Sequence, residues 1–372
     1  MRVRTAAALG LVTGGLALGV WSCLHRDATA ESKAPDVAPV ELVVLATPHE
    51  DEALHTDVRL VAVDRDGARS TPWATLRHPP SSVVRGDVHG RVAFVVGDEE
   101  GVSDRDWGSA LYRIESGKDA QRLIGGVVHA GLPLASDDGL VYVERGKSGA
   151  FPAPGHLRED SISVDAVDPS SGQMRALYTW TGYALHLAGE LGRELFVYRV
   201  GSAGADVLAV DRATGASRVV ASVAPFARDF SVDVTRRALV LSNRDATDAH
   251  RWVVLRIDLA SGTSTELASA VDDAPSPFAL PQGTVVYSAP GRTGLAFDGP
   301  VGAAPLAPLG AGFDAVRAAS ADGAWIALLH VPATGYDESV AVHLRTRRVV
   351  RLAGHDERVE IAGFLDGQRC VR

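Results

Sequence analysis

The chain predicts an all-β fold, and three observations carry that prediction. The first is a recurring pattern: an apolar, β-branched run, an Asp-x-x-x-Gly turn, and a second run of alternating polarity. Residues 162–177 turn at Asp168 and Gly172, residues 206–220 at Asp211 and Gly215, and residues 252–267 at Asp258 and Gly262. Such a stretch is a hairpin with a mechanism. The carboxylate accepts the backbone N–H two residues on, and the glycine supplies positive φ. The second observation is spacing. Weaker copies turn at Gly67, Gly117, Gly299 and Thr346, so the seven turns stand 37 to 55 residues apart. A four-stranded propeller blade repeats every 40 to 50 residues or so. The third is the lack of any stretch with sustained apolar spacing of three and four, so no long helix is expected. Together they predict a β-propeller of about seven four-stranded blades.

Taken in order, residues 1–23 form a leader. Arg2 and Arg4 give a positive start, and residues 5–20 are uncharged. This is a secretory signal, shorter than the roughly 20 apolar residues of a comfortable membrane span. Val20-Trp21-Ser22-Cys23 ends it and resembles a bacterial lipobox, although Trp21 departs from the usual pattern. In that family the signal is cut before the cysteine, which carries the lipid, so the resemblance implies lipidation at Cys23. Two alternatives stand beside it: cleavage after Ala28-Thr29-Ala30, and retention of residues 5–24 as an anchor. All three place the protein outside the cytoplasm, lipid-anchored to a bacterial membrane or periplasmic. Residues 24–39 are small, polar and contain Pro35 and Pro39, which reads as a tether. Residues 40–372 are the expected propeller.

Composition removes several function classes. The net charge is −9, from 37 basic and 46 acidic residues, so no basic footprint suggests nucleic acid. Lysine occurs only at Lys33, Lys118 and Lys147, a bias that lowers the weight of any single arginine. Cys23 and Cys370 are the only cysteines, which rules out a disulfide framework or a cysteine metal site within the domain. Cys370 reads as a small buried apolar residue.

Each period holds two further strands before its hairpin. Residues 313–319 and 324–330 flank the turn Ser320-Ala321-Asp322-Gly323, and residues 132–135 and 140–144 flank Ser136-Asp137-Asp138-Gly139. With the Asp-x-x-Ser/Thr-Gly hairpins, these turns resemble the WD40-like propeller repeats of TolB and of the propeller lids of prolyl oligopeptidases. The resemblance covers about residues 40–372 and implies a fold, not an activity. The family's turn proline is absent, and the turn is degenerate at Thr235-Arg236-Arg237 and Pro281-Gln282-Gly283. Residues 24–39 are too few for the α/β domain that precedes the propeller in TolB, so its role is not carried over. The ends are complementary. Residues 359–367 read as a first strand and turn with no hairpin after them, and residues 41–47 as a strand with no partner before it. Pairing them closes the ring and hides both edges.

In a propeller the connections between second and third strands, and between blades, share one face. Here that face has the long, ionic loops, residues 48–57, 98–106, 145–160, 243–251 and 332–338. It is the expected place for a protein or cell-envelope partner, unless the loops are merely solvated. The acidic runs His49-Glu50-Asp51-Glu52 and Asp98-Glu99-Glu100 lack the spacing of a calcium loop and read as solvated charge. No His-x-x-x-His or cysteine pair suggests zinc, and His89, His129 and His186 would have to be united by the fold. No cofactor or metal is expected. First strands place Arg85, His129, His186, Arg228, Arg317 and Glu360 at the central channel. His186 and Arg317 each stand six residues before their turn glycine, Gly192 and Gly323. If both point inward they would offer an anion site; alternatively, backbone carbonyls and water satisfy them. There is no Gly-x-Ser-x-Gly elbow and no phosphate-binding glycine loop. The expectation is a monomeric, non-catalytic binding propeller. A propeller enzyme of lyase or lactonase type, acting at the channel mouth through a metal or His186, is the alternative.

Overall fold

The computed structural model describes residues 38–49, 53–102, 106–147, 149, 158–291, 294–298, 306, 309–354 and 356–365. Cys23 with its leader, the stretch 24–37, the acidic run 50–52 and Cys370 lie outside the described residues. Among the described residues every regular element is a strand, and the pairings are antiparallel.

The chain begins with β1 (Val40–Pro48), β2 (His55–Asp64) and β3 (Gly67–Arg77). Next come β4 (Arg85–His89), β5 (Val92–Asp98), β6 (Ser109–Glu115) and β7 (Gln121–Val127). They are followed by β8 (Leu134–Ala135), β9 (Val141–Lys147), β10 (Asp160–Val167) and β11 (Met174–Gly182). Then come β12 (Ala184–Leu191), β13 (Glu194–Gly201), β14 (Gly204–Asp211) and β15 (Ser217–Val223). The fourth group is β16 (Ala227–Asp233), β17 (Ala238–Arg244), β18 (Arg251–Asp258) and β19 (Ser264–Val271). A shorter one holds β20 (Phe278–Ala279), β21 (Val285–Ser288) and β22 (Leu295–Asp298). Last are β23 (Gly312–Ala319), β24 (Trp325–Pro332), β25 (Glu338–His343), β26 (Arg348–Arg351) and β27 (Glu357–Phe364).

Hydrogen bonding joins these strands into six sheets, where the repeat count gives seven units. The difference lies in a single pairing. Val127 at the end of β7 pairs with Arg145 of β9, which joins β4–β7 to β8–β11 in one eight-stranded sheet. The Arg145 guanidinium lies over Gly126, where a Cβ would stand 3.2 Å from Nη2. Arg145 Nε donates to the Gly125 carbonyl at 2.9 Å, and Gly126 takes φ +71°. The sheet at the chain ends runs β27-β1-β2-β3, with Leu42 opposite Phe364 and Pro48 opposite Glu357.

The turns form as their residues dictate. Asp168 Oδ1 accepts Ser170 N at 2.8 Å, Asp211 Oδ1 accepts Thr214 N at 2.9 Å, and Asp258 Oδ1 accepts Ser261 N at 2.7 Å. Gly172, Gly215 and Gly262 have φ of +70°, +73° and +74°. In the last hairpin His343 stands in for the aspartate, its Nδ1 accepting Thr346 N at 3.2 Å, and Arg347 takes the left-handed position at φ +58°.

Apolar residues line both faces of most sheets, so the core is a series of interfaces. Val43, Leu45 and Val58 meet Val88 and Val95; Phe94 and Leu111 meet Val141 and Val143; Tyr142 and Ile162 meet Leu185 and Leu195. Further on, Phe196 and Val207 meet Leu239 and Ile257, Val240 meets Val285, and Phe278 and Val286 meet Ile326 and Leu328. The inner strands follow one another: β27 beside β4, β4 beside β8, β9 beside β12, β12 beside β16, β16 beside β20, β21 beside β23, and β23 beside β27.

A polar bond accompanies each of these junctions. Asp87 Oδ2 accepts Ala135 N, Glu144 Oε1 accepts Leu187 N, Tyr198 Oη accepts Ala227 N, and Ser231 Oγ accepts Ala279 N. Ser288 Oγ donates to the Asp314 carbonyl and Ser339 Oγ to the Val359 carbonyl. At the β27–β4 junction Arg358 donates to the Ser82 carbonyl, and Arg85 pairs with Glu360. Side chains of one sheet thus satisfy inner-strand or adjoining backbone of another, which buried backbone groups require.

Candidate functional site

The inner strands surround a cavity of about 380 Å³, and residues of β4, β9, β12, β16, β20, β23 and β27 line it. All four residues singled out in the sequence, Arg85, His129, His186 and Arg317, are among its lining. His129 reaches it from the connection between β7 and β8 instead of from a first strand. The third histidine considered for zinc, His89, stands apart against Phe94 and Ala135. Among the described residues no group of three His, Cys, Asp or Glu is placed to hold a metal.

Bulges aim several of these side chains. In β12 the register shifts between Leu187 and Gly189, in β16 between Arg228 and Ser231, and in β23 between Val316 and Ala318, with Arg317 as the extra residue. A bulge reverses the alternation of faces, so a side chain that period-two counting sends one way is turned the other. Asp229 sits in the β16 bulge at φ +53°. It is a cavity residue that sequence reading missed, and nothing in Ala-Arg-Asp-Phe-Ser marks the bulge. Glu144 and Phe230 were missed for a related reason. They look like an ordinary strand end and an ordinary core aromatic.

The arginines share two carboxylates. Arg85 is paired with Glu360, Arg228 Nε lies 2.8 Å from Asp229 Oδ2, and Arg317 Nη1 lies 4.0 Å from Asp229 Oδ1. Burial pushes the Arg317 guanidinium below its ordinary pKa. Glu360 and Asp229 oppose that shift, while Arg85 and Arg228 add to it. Five charged groups therefore act on one another across one recess.

On another side, His186 Nδ1 lies 3.3 Å from Glu144 Oε2, and the other carboxylate oxygen accepts Leu187 N at 2.6 Å. Burial alone would lower the His186 pKa, but the charge and hydrogen bond of Glu144 outweigh it and raise it above 6.5. Protein surrounds the imidazole, yet 47% of its side-chain surface stays open because it faces the cavity. Tyr198 stacks on it at 6.3 Å. His129 Nδ1 donates to Asp98 Oδ1 at 2.9 Å, and Ser109 Oγ donates to the same oxygen at 2.6 Å. With Glu99 bound by Arg122, two carboxylates of the acidic run 98–100 are engaged in structural bonds, and Glu100 is exposed. Such an arrangement can bind and orient an anion, or hold a proton on His186.

No family model matches the chain, and no curated protein matches it significantly in sequence. Solved structures do resemble it in fold. A puromycin-hydrolyzing peptidase from Mycobacterium tuberculosis superposes with a TM-score of 0.52 at 13% identity, covering 85% of this chain and 53% of that one. A protein assigned as a 6-phosphogluconolactonase from Bacteroides uniformis gives 0.51 at 13% identity, covering 86% and 99%. TolB from Acinetobacter baumannii gives 0.47 at 12%, covering 87% and 83%. The chain spans about half the length of the peptidase. At these identities the likeness shows a fold alone, and that fold is an all-β propeller.

Proposed function

We propose that this chain is a non-catalytic, extracytoplasmic propeller, a closed ring of seven blades, that binds a protein or cell-envelope component through its long-looped face. The ring reading divides the eight-stranded sheet into two blades at the Val127–Arg145 pair and is supported by the pairing of β27 with β1. The observation that carries the binding reading is the placement of exposed apolar side chains. Leu54, Val102, Phe226, Val271 and Tyr336 are 47% to 68% exposed, and all stand at the long-looped face. Met174, Val219 and Val234, the other large apolar residues so exposed among the described residues, lie elsewhere. Apolar side chains gathered on one face of a rigid scaffold mark an interaction surface.

The test is capture from native envelope extract, comparing the parent with Phe226→Asp/Tyr336→Asp and with Val234→Asp on the opposite face. The expected outcome is a partner held by the parent and by Val234→Asp but lost from the double variant. Equal capture by all three overturns the reading. Attachment is tested separately: Cys23→Ser should release the protein from membranes and end labelling by a fatty-acid analogue. Unchanged fractionation, with no labelling of the parent, would show that Cys23 is not the anchor.

One observation favours the alternative, an enzyme of lyase or lactonase type. It is the contact of His186 with Glu144 in an open recess, since a histidine with a raised pKa is suited to donate a proton near neutral pH. It would gain ground if His186→Gln abolished a turnover that the long-looped-face variants left intact.

A further inference from the structure

We propose that the face carrying the short turns lies on an anionic lipid surface and touches it through Arg345, Arg347 and Arg348. This goes beyond the long-looped face and rests on the reading that Cys23 anchors the chain.

The chain enters the described fold at that face. β1 begins at Val40, and the Ala38 carbonyl accepts Trp325 Nε1 at 3.3 Å. Trp325 opens β24, directly after the turn Ser320-Ala321-Asp322-Gly323. On the other side of the entry, Glu41 Oε2 lies 3.3 Å from Arg91 Nη1, in the turn between β4 and β5. Both turns join first to second strands, so they stand opposite the long loops. From Cys23 to Ala38 is 15 residues by subtraction, a span of at most about 50 Å. Turning the long loops to the lipid would use about half of it on the height of one blade, roughly 26 Å for an eight-residue strand such as β24. An anchor at Cys23 therefore favours the short turns as the face nearer the membrane.

What stands beside the entry is basic. The β25–β26 turn runs His343-Leu344-Arg345-Thr346-Arg347-Arg348, with Arg345, Thr346 and Arg347 exposed and Arg348 half-buried. Its display is fixed. Leu344 N donates to the Ala324 carbonyl at 2.9 Å, Arg347 N donates to the His343 carbonyl at 2.8 Å, and the His343 ring meets Trp325 edge-on at 5.1 Å. Trp325 thus ties the chain entry and the arginine turn into one corner. Nearby charges cancel: Arg91 with Glu41, Arg69 with Asp64, and Arg65 with Asp66. Among the described residues no ion pair joins Arg345, Arg347 or Arg348 to a carboxylate. Asp322, whose charge reaches His343 as that of Arg345 does, is engaged by Ser320 Oγ and Ala324 N at 2.6 and 2.9 Å. Three arginines against one carboxylate leave this corner positive on a chain of net charge −9.

Guanidiniums match phosphate in geometry, and each one near an anionic leaflet strengthens the contact about fivefold. Such a contact is weak for a free domain. On an anchored chain the surface is always within reach, so a weak contact suffices to orient the molecule.

Headgroup quenching tests this on the full chain, lipidated in cells and reconstituted into phosphatidylcholine vesicles with or without phosphatidylglycerol. A fluorophore is attached at Ala68→Cys, exposed at the β2–β3 turn, or at Ala333→Cys, exposed on the long-looped face, each in a Cys370→Ser background. With phosphatidylglycerol, a nitroxide on the lipid headgroups should quench the Ala68 label several times more strongly than the Ala333 label. That ratio should fall in high salt, without phosphatidylglycerol, and in Arg345→Gln/Arg347→Asn, whose contact is weakened about 25-fold. Asparagine suits the left-handed position and both sites are exposed, so the double variant should melt with the parent. Equal quenching at the two labels overturns the proposal, as does a ratio that neither lipid charge nor the double variant changes. A parent chain that carries no lipid and leaves the vesicles overturns it together with the anchoring. An anchored chain with equal quenching overturns it alone.

Discussion

Gly262 has φ +74°, and a Cβ there would run into the carbonyl oxygen of Val220 on the outer strand of the preceding sheet. Gly192 also lies in the left-handed region, at φ +60°, but nothing stands within 4 Å of where its Cβ would be. The two positions separate backbone strain from packing. Gly192→Ala should cost about 1 kcal/mol, the left-handed penalty alone. Gly262→Ala should cost roughly 3 kcal/mol, because overpacking adds to that penalty. Urea denaturation of both variants checks the order, and equal losses would mean that the turn does not lean on its neighbour. His186 offers a second test at this scale. Its folded pKa is raised, so its contribution to stability is complete below the pH at which an unfolded histidine titrates. That contribution fades as pH rises through the folded value. The melting-temperature gap between the parent and His186→Gln should therefore shrink as pH rises above about 6.5. A constant gap would mean that folding does not shift the titration of this imidazole.

Hairpins were the most legible elements, since Asp and Gly do their work within five residues of chain. The acceptor carboxylates at Asp168, Asp211 and Asp258 are held below their ordinary pKa by the side-chain and backbone groups of their own turns, Asp168 at about 2. A lowered folded pKa gives stability above 3.8 that is lost as pH falls toward the folded value. Changing all three to Asn keeps an acceptor but removes the titration. Between about pH 5 and about pH 2 the triple variant should lose less of its melting temperature than the parent does. Parallel acid profiles would show that the carboxylates are not the acid-sensitive groups. Inner strands were less legible. His186 and Arg317 were placed at the channel by counting from a glycine, and both are there. Asp229 was not, because a bulge changes which face a residue shows without changing its composition. The last hairpin, placed near Thr346, was found by its spacing, since Arg347 holds the left-handed position and His343 the aspartate position. A turn geometry can be kept by residues that do not advertise it.

For the molecule as a whole, the period and the unmatched ends indicated a ring, and β27 pairs with β1 as those ends suggested. The joined eight-stranded sheet was not legible, because it depends on a guanidinium lying over Gly126, a contact between residues 19 apart with no motif of its own. If the ring is closed, β27 cannot be dispensable. It carries Val359, Ile361 and Phe364, all buried, and its removal leaves β1 with an unpaired edge. Deleting residues 358–372 should give an aggregating product, measured as the fraction soluble after expression. A soluble, cooperatively unfolding deletion with the parent's melting temperature would rule out closure through this strand.

The polar bonds between neighbouring sheets also have a direction in time. At six junctions the side chain that bonds the next inner strand lies earlier in the chain than the backbone it serves: Asp87 before Ala135, Glu144 before Leu187, and so on to Ser339 before Val359. A chain emerging from the ribosome therefore makes each side-chain partner before the backbone group that will use it. While it waits, water can serve an exposed carboxylate or hydroxyl. An inner-strand amide would be buried in the same interval with nothing to bond. The seventh junction reverses the order. Arg358 and Glu360 lie on the strand that completes the first sheet, and they reach back to Ser82 and to Arg85 of the second, both made much earlier in the chain.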